Sequence, residues 1–464
     1  MNIWQDESGA LDIIKDRTRY GVFWDMGVGK TALLLALIDH KIFQGRKKFL
    51  IIAPKKVTLS TWQKEVAKWK NFNYMAKILE LIESGDPKKR TKQLENTGEY
   101  CIHIISSDIA WWLAGKFVEH TSASGKKYKR FVPNPARPDY DVIIVDECSE
   151  FKSVTTYRYK ALDRLAKGKE LFLLSGTPTP NIKREVDKRG FVSYRKADEL
   201  YYICYFLGLY DGTITGFRRD FCYQLAWEYD WRMREEVYKF LQDKLRNYAM
   251  SRPLKLDVKL IEQKIYCPID NSVLKEMIKN YQIETENFTK ITAANRAVMI
   301  DKTLQLSNGF MYNADKKAIR FNQFKFNALL EVLEKHPKEN ALIYYHYEED
   351  REFILRNLPG SKRYSSRQDE EDWNAGKIKY MLVSPFSDKF GLNLQFGGRL
   401  IIWFGLIWSG ESFAQAIRRL YRNGQTRDVY VYYLLAKGGF DDYVYNVAIT
   451  KVETTEDFKK YLTI

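Results

Sequence analysis

The chain is poor in the residues that build metal or disulfide scaffolds. Its five cysteines, Cys101, Cys148, Cys204, Cys222 and Cys267, are scattered over 464 residues with no C-x-x-C pair. That argues against a zinc ribbon and a disulfide framework, and it fits a reducing, cytoplasmic setting. Histidine is equally scarce: His40, His103, His120, His336 and His346 lie far apart, so they read as surface or packing residues rather than metal ligands. No apolar run reaches the ~18 residues of a membrane span. The opening stretch MNIWQDESGALDII carries early acids and no signal-like apolar core. Short-period repeats and low-complexity tracts are lacking too.

What the chain has in excess is positive charge. Lysine plus arginine number 75 against 59 aspartates and glutamates, a formal net charge of +16. With a pI near 9.2, a polyanionic partner is expected, nucleic acid before an acidic membrane, because no basic amphipathic helix stands out.

Short apolar runs alternate with longer amphipathic stretches in two regions. YGVFW, KKFLIIAP, YCIHIIS, YDVIIVDE and ELFLLSGT read as parallel strands covered on both faces, since they are continuous rather than alternating. ENALIYYH, IKYMLVSPF, RLIIWFGL and VYVYYLLA repeat that texture further on. The fold class is therefore α/β, with two doubly wound parallel sheets: residues 1–200 and 255–464 as α/β domains, and 201–254 as a helical insertion. Residues 270–330 read as largely helical. The stretch 115–140, with its lysine-rich segment 126–130, reads as an exposed loop or hairpin.

Four motifs carry candidate chemistry. In FWDMGVGKTALLL, a strand runs into a helix through Gly27, Val28 and Gly29, followed by Lys30 and Thr31. Glycines let backbone N–H groups turn toward phosphate oxygens at a helix N-terminus, a lysine neutralises the β and γ phosphates, and a threonine hydroxyl suits Mg²⁺. The usual phosphate loop has a further glycine where Trp24 stands, so an ordinary strand-to-helix turn is the competing reading. Asp146 and Glu147 end the strand of DVIIVDECSEF, where one carboxylate could hold hydrated Mg²⁺ and the next act on the attacking water. Ser175 and Thr177 end the strand of LFLLSGTPTP, a hydroxyl-bearing loop or simply a Pro/Gly turn. In QAIRRLYRNGQT, Gln415, Arg419 and Arg422 share one helical face. They form either a solvated basic helix or a pair of arginines for transition-state charge.

In chain order, Gln5, DMGVGKT, IIAPKKVTLSTWQKEVAKW, IISSD, VDECSEFK, LSGTPTPN, GLNLQ and QAIRRLYRNGQT resemble the Swi/Snf-type branch of superfamily-two helicase-like ATPases, of the compact kind found in bacteria and their viruses. The resemblance runs from about Gln5 to about Lys451. It implies two RecA-like lobes with ATP between them and nucleic acid crossing both. By the same resemblance Gln5 reads adenine, and Gly27, Val28, Gly29, Lys30 and Thr31 hold phosphates and Mg²⁺. Asp146 binds Mg²⁺ through water, and Glu147 acts on the nucleophile. Gln415 opens the final motif, and Arg419 and Arg422 reach the γ-phosphate. Ser175 and Thr177 couple hydrolysis to movement. Lys55, Ser106 and Ser107 in the first lobe and Ser384, Asn393 and Gln395 in the second are candidate contacts to nucleic-acid backbone.

The sequence departs from that family at Cys148 and Ser149, where alanine and histidine are usual. It also departs at Phe386, Asp388, Lys389 and Arg418. The expected activity is a nucleic-acid-stimulated ATPase that moves along DNA, duplex for preference, using ATP and Mg²⁺. A strand-separating helicase on single-stranded DNA or RNA, and an ATP-controlled DNA-binding scaffold that does not move, are the alternatives.

Overall fold

The computed structural model describes residues 8–55, 61–82, 85–122, 127–226, 228–268, 271–280, 282–284, 290–292, 296–386 and 392–463. Gln5, Lys126, Asp388 and Lys389 lie outside them. The chain forms two compact units, residues 1–254 with 453–464, and residues 255–452.

The first unit is built on seven strands: β1 (Arg19–Val22), β2 (Lys48–Ala53), β3 (Leu79–Ile82), β4 (Cys101–Ser106), β5 (Val142–Val145), β6 (Glu170–Leu174) and β7 (Ala249–Met250). They lie in the spatial order β7-β1-β6-β5-β2-β4-β3, every neighbouring pair parallel. Alternate residues of each strand enter opposite cores. On β2, Phe49 and Ile51 pack with one apolar cluster, Leu50 and Ile52 with the other. A sheet buried on both faces demands such continuous apolar runs, which is why these strands are legible. Helix α1 (Lys30–Phe43) contributes Leu33 to Ile38 to one core.

The second unit repeats the architecture with six strands: β8 (Leu260–Cys267), β9 (Ala341–Tyr344), β10 (Ser361–Arg363), β11 (Tyr380–Val383), β12 (Leu400–Trp403) and β13 (Val429–Ala436). Their order is β8-β13-β12-β9-β11-β10, again all parallel. Both sheets are doubly wound, as expected from the runs.

Four strands of these two sheets were not expected: β3, β7, β8 and β10. The first two and the last are too short to form an apolar run, and β8 (LIEQKIYC) is broken by the exposed polar residues Glu262, Gln263 and Lys264, so none shows as a continuous apolar run. Residues 201–254 are helical at Leu200–Phe206, Ile214–Phe221 and Glu235–Leu245, but they also supply β7 and the strand Arg232–Arg234 of a small antiparallel sheet. Residues 270–330 hold helices at Asn271–Asn280, Arg296–Ser307 and Phe324–Lys335, interrupted by two small hairpins.

Residues 453–464, placed from the sequence with the second domain, belong to the first unit. Thr463 bridges to Ser251 beside β7, and the Thr455 hydroxyl donates to the Thr179 carbonyl at 2.9 Å. Between β4 and β5, residues Gly115–Thr121 and Lys127–Pro133 pair as an antiparallel hairpin. Among the described residues no helix is long and apolar enough to cross a membrane.

Candidate active site

The strand order sets β1, β6 and β5 side by side, so the three loops that leave their C-terminal ends adjoin. Those loops carry the phosphate-loop residues, Ser175 with Thr177, and Asp146 with Glu147. In open parallel sheets that edge is where ligands bind.

Gly27 (φ 81°) and Gly29 (φ 98°) both adopt left-handed backbone, open to glycine at little cost. They turn the chain into α1, whose N-terminus has no side-chain cap. The first N–H groups of that helix therefore suit an anion. Lys30 lies across the loop, donating to the carbonyls of Trp24 at 2.8 Å and Asp25 at 3.2 Å. Burial pulls its ammonium pKa down, while the charges of Glu147, Asp146 and Asp25 act the other way. Val28 packs against the core under the loop, and Thr31 is half-buried at the first turn. Trp24 is fully buried in that core, with the Arg252 guanidinium 5.4 Å from its ring centre. It thus supports the loop from below, in the place of the missing glycine.

Asp146 and Glu147 are both buried. Burial raises the Asp146 carboxyl pKa, opposed by the Lys30 charge and by the Glu147 N–H, which donates to Asp146 Oδ1 at 3.1 Å. Glu147 sits at φ 53°, ψ 56°, a left-handed conformation that costs a residue with a Cβ on the order of 1 kcal/mol. The Ser175 hydroxyl donates to Glu147 Oε2 at 3.2 Å and accepts from the Thr177 N–H at 3.0 Å. Thr177 Oγ1 is buried with no partner among the described residues.

Two residues that the motifs did not single out complete this arrangement. The Tyr202 hydroxyl lies 3.7 Å from Cys148 Sγ and donates to the Pro178 carbonyl, a second link between the Asp146–Glu147 loop and the Ser175 loop. Lys459 forms a buried ion pair with Asp25. Asp25 also accepts from the Leu254 N–H at 2.9 Å. Nothing local could have revealed Lys459, because its partner is 434 residues away.

Of the nucleic-acid candidates in this unit, Lys55 is exposed just beyond β2. Ser106 and Ser107 are buried: Ser106 Oγ accepts from the Asp108 N–H at 3.2 Å, and Ser107 Oγ donates to Glu150 Oε2 at 2.6 Å. Both hydroxyls are thus engaged in local structure.

In the second unit, α2 (Gly410–Ile417) carries Gln415, and Arg419 and Arg422 follow it. Gln415 Nε2 donates to Glu411 Oε1 at 3.2 Å, and its Oε1 is buried and unpartnered among the described residues. The Leu392 carbonyl accepts from both guanidinium groups, Arg419 at 3.2 Å and Arg422 at 3.3 Å. Burial and the neighbouring Arg419 charge lower the Arg422 pKa to about 10. Two cations drawn onto one carbonyl would be relieved by an anion. Ser384 is half-buried, and its Oγ accepts from the Phe386 N–H at 3.4 Å. Asn393 is exposed, and its N–H donates to Glu370 Oε1 at 3.1 Å. Gln395 is buried with Oε1 unpartnered among the described residues.

Residues 19–311, more than half of the chain, match the SNF2-related domain. The chain belongs to the SNF2-related family. Members of this family are helicase-like ATPases of superfamily two with two RecA-like lobes, and the two parallel sheets above are those lobes. The chain is 26% identical over 459 residues to protein p41 of Acyrthosiphon pisum secondary endosymbiont phage 1, covering 94% of this chain and 93% of p41. It is 25% identical over 451 residues to the SWI/SNF-related matrix-associated actin-dependent regulator of chromatin subfamily A-like protein 1 of Xenopus laevis, covering 92% of this chain and 41% of that protein. With YwqA of Bacillus subtilis (strain 168), named an ATP-dependent helicase/translocase, identity is 23% over 467 residues, covering 93% of this chain and 45% of YwqA. The chain therefore spans nearly the whole phage relative but less than half of the other two.

The residues fit the ligands that SNF2-related ATPases bind. An uncapped helix N-terminus and a lysine suit a triphosphate, and the buried carboxylates of Asp146 and Glu147, whose charges act on Lys30, are hard oxygen donors of the kind that suit Mg²⁺.

Proposed function

We propose that this chain hydrolyses ATP to move along DNA, with duplex DNA as its preferred track. The observation that carries this reading is the convergence, at the ends of three adjacent strands, of Lys30, the Asp146–Glu147 pair and the Ser175 hydroxyl that bonds Glu147. Lys30 and the N–H groups of the first turn of α1 would hold the β and γ phosphates. Thr31 and Asp146 would hold Mg²⁺, which when bound neutralises phosphate charge. Glu147 orients a water molecule on the γ-phosphorus and takes its proton as the new O–P bond forms. The bond to the β,γ-bridging oxygen breaks, and ADP leaves with the electron pair. Arg419 and Arg422 are assigned to the γ-phosphate in the hydrolysing state, as the family pattern of QAIRRLYRNGQT implies.

Ser175 ties the hydrolytic carboxylate to the loop through Pro178, and Tyr202 ties that loop back to Cys148. Loss of the γ-phosphate would reach that loop through these two links, coupling chemistry to lobe movement. The net charge of +16 and the exposed Lys55 support a phosphate-directed grip with little base readout.

The test is ATPase rate with duplex DNA, single-stranded DNA, RNA and no nucleic acid. Stimulation greatest by the duplex supports the reading. Equal rates in all four overturn it.

A further inference from the structure

The hairpin Gly115–Thr121/Lys127–Pro133 is a two-stranded ribbon whose strands, among the described residues, pair only with each other. One end is anchored. Phe117 and Phe131 face each other across it and pack on Trp111 at 5.9 and 5.4 Å, with the Arg164 guanidinium 4.1 Å from the Phe131 ring. Gly115, at φ 143°, fixes the base, where a Cβ would meet the Val132 carbonyl at 2.2 Å. Beyond that anchor the ribbon is basic and mostly exposed, with Val118, His120 and Val132 half-buried. Lys116, Lys127, Lys129 and Arg130 face solvent, with no ion-pair partner among the described residues, against the single carboxylate of Glu119.

Register assigns these cations to both sides. Opposed residues share a face, and faces alternate along the strand. Lys127 and Lys129 fall on the face of Phe117 and Phe131, and Lys116 and Arg130 on the other, beside the stacked rings of His120 and Tyr128. A ribbon meant to lie against protein would carry an apolar face along its length. One with cations on both faces suits a slot walled by anions on either side. The major groove of B-DNA admits a two-stranded ribbon and is walled by phosphates on both sides. The ribbon is also continuous with the candidate nucleic-acid segment: Ser107–Ile109 and the helix Ala110–Ala114 lead directly from β4 into it.

We propose that the paired strands Gly115–Thr121 and Lys127–Pro133 insert along a groove of duplex DNA and grip the phosphates on both of its walls. This rests on the DNA-motor reading and names a contact surface for it.

The experiment compares wild type with two paired variants, Lys116→Gln/Arg130→Gln on one face and Lys127→Gln/Lys129→Gln on the other. The affinity for a fluorescently labelled short duplex is read by anisotropy over a salt series, with DNA-free ATPase and thermal unfolding as controls. All four side chains are exposed, so folding and DNA-free ATPase are expected to stay unchanged. Each pair is expected to weaken duplex binding at least about fivefold and to make the salt dependence shallower by about 0.9 for each phosphate that is no longer neutralised. Three results would overturn the proposal: unaltered affinity and salt slope in both variants, weakening confined to one pair, or weakening seen with a single-stranded oligonucleotide and not with the duplex. A wild type that binds the duplex through these residues but is not stimulated by it would sink the motor reading and leave the ribbon's grip on DNA standing.

Discussion

Asp25 of the phosphate loop and Lys459 of the C-terminal segment form an ion pair in which both side chains are 4% exposed. Lys459 also reaches Glu456 Oε1 at 2.8 Å, and Asp25 Oδ2 accepts from the Leu254 N–H at 2.9 Å. A buried charge that loses its partner is costly, on the order of 3 kcal/mol. Lys459→Met should therefore lower the unfolding midpoint of the first unit and weaken nucleotide binding. Asp25→Asn/Lys459→Met should recover part of the stability, because no charge is then stranded. Urea titration of the four proteins of this double-mutant cycle measures it.

Glu147→Gln keeps the shape of the side chain and removes its basicity. ATP hydrolysis should fall by at least about 100-fold, while binding of a fluorescent ATP analogue is retained. Lys30→Ala should instead lose binding. If Glu147→Gln keeps wild-type turnover, Glu147 is not the group that takes the proton.

Arg422→Ala should reduce kcat by on the order of 1,000-fold with the Kd for ATP nearly unchanged, since Arg422 is assigned to the hydrolysing state rather than to ground-state binding. Steady-state kinetics beside equilibrium nucleotide titration separates the two effects. A fall in affinity alone would move Arg422 out of the hydrolytic step.

Asp350 in the second unit supplies a pH dependence. Its Oδ2 accepts from Asn308 Nδ2 at 2.8 Å and from the Tyr347 N–H at 3.1 Å, and its Oδ1 is buried without a partner among the described residues. Burial raises its pKa to about 7. A carboxyl raised in the folded state contributes stability below its unfolded pKa near 4, and that contribution is lost as pH rises to about 7. Asp350→Asn mimics the protonated form. It should be more stable than wild type at pH 8 by on the order of 3 kcal/mol, with the gap closing toward pH 4. Urea midpoints across that range test it.

The parts legible in sequence were those with a local signature. Continuous apolar runs marked nine of the strands, and the glycines at 27 and 29 marked the turn into α1, because only a covered parallel strand and a left-handed turn demand those residues. The edge strand β8 was not legible, since the consecutive exposed residues Glu262, Gln263 and Lys264 interrupt its apolar ends. Ser106 and Ser107 carried the right motif, yet their hydroxyls bond within the unit, a fact that depends on Asp108 and Glu150 being brought to them by the fold. Tyr202 and Lys459 act at the site from 54 and 434 residues away in the chain, and no spacing rule reaches that far.

The central claim is movement along duplex DNA driven by ATP hydrolysis. The measurement that bears on it most directly is displacement of a third strand from a triplex at the end of a duplex track, with wild type and Glu147→Gln run in parallel. The expected result is ATP-dependent displacement by wild type, none by Glu147→Gln, and no unwinding of the duplex itself. Duplex-stimulated ATP hydrolysis without displacement of the third strand would contradict it.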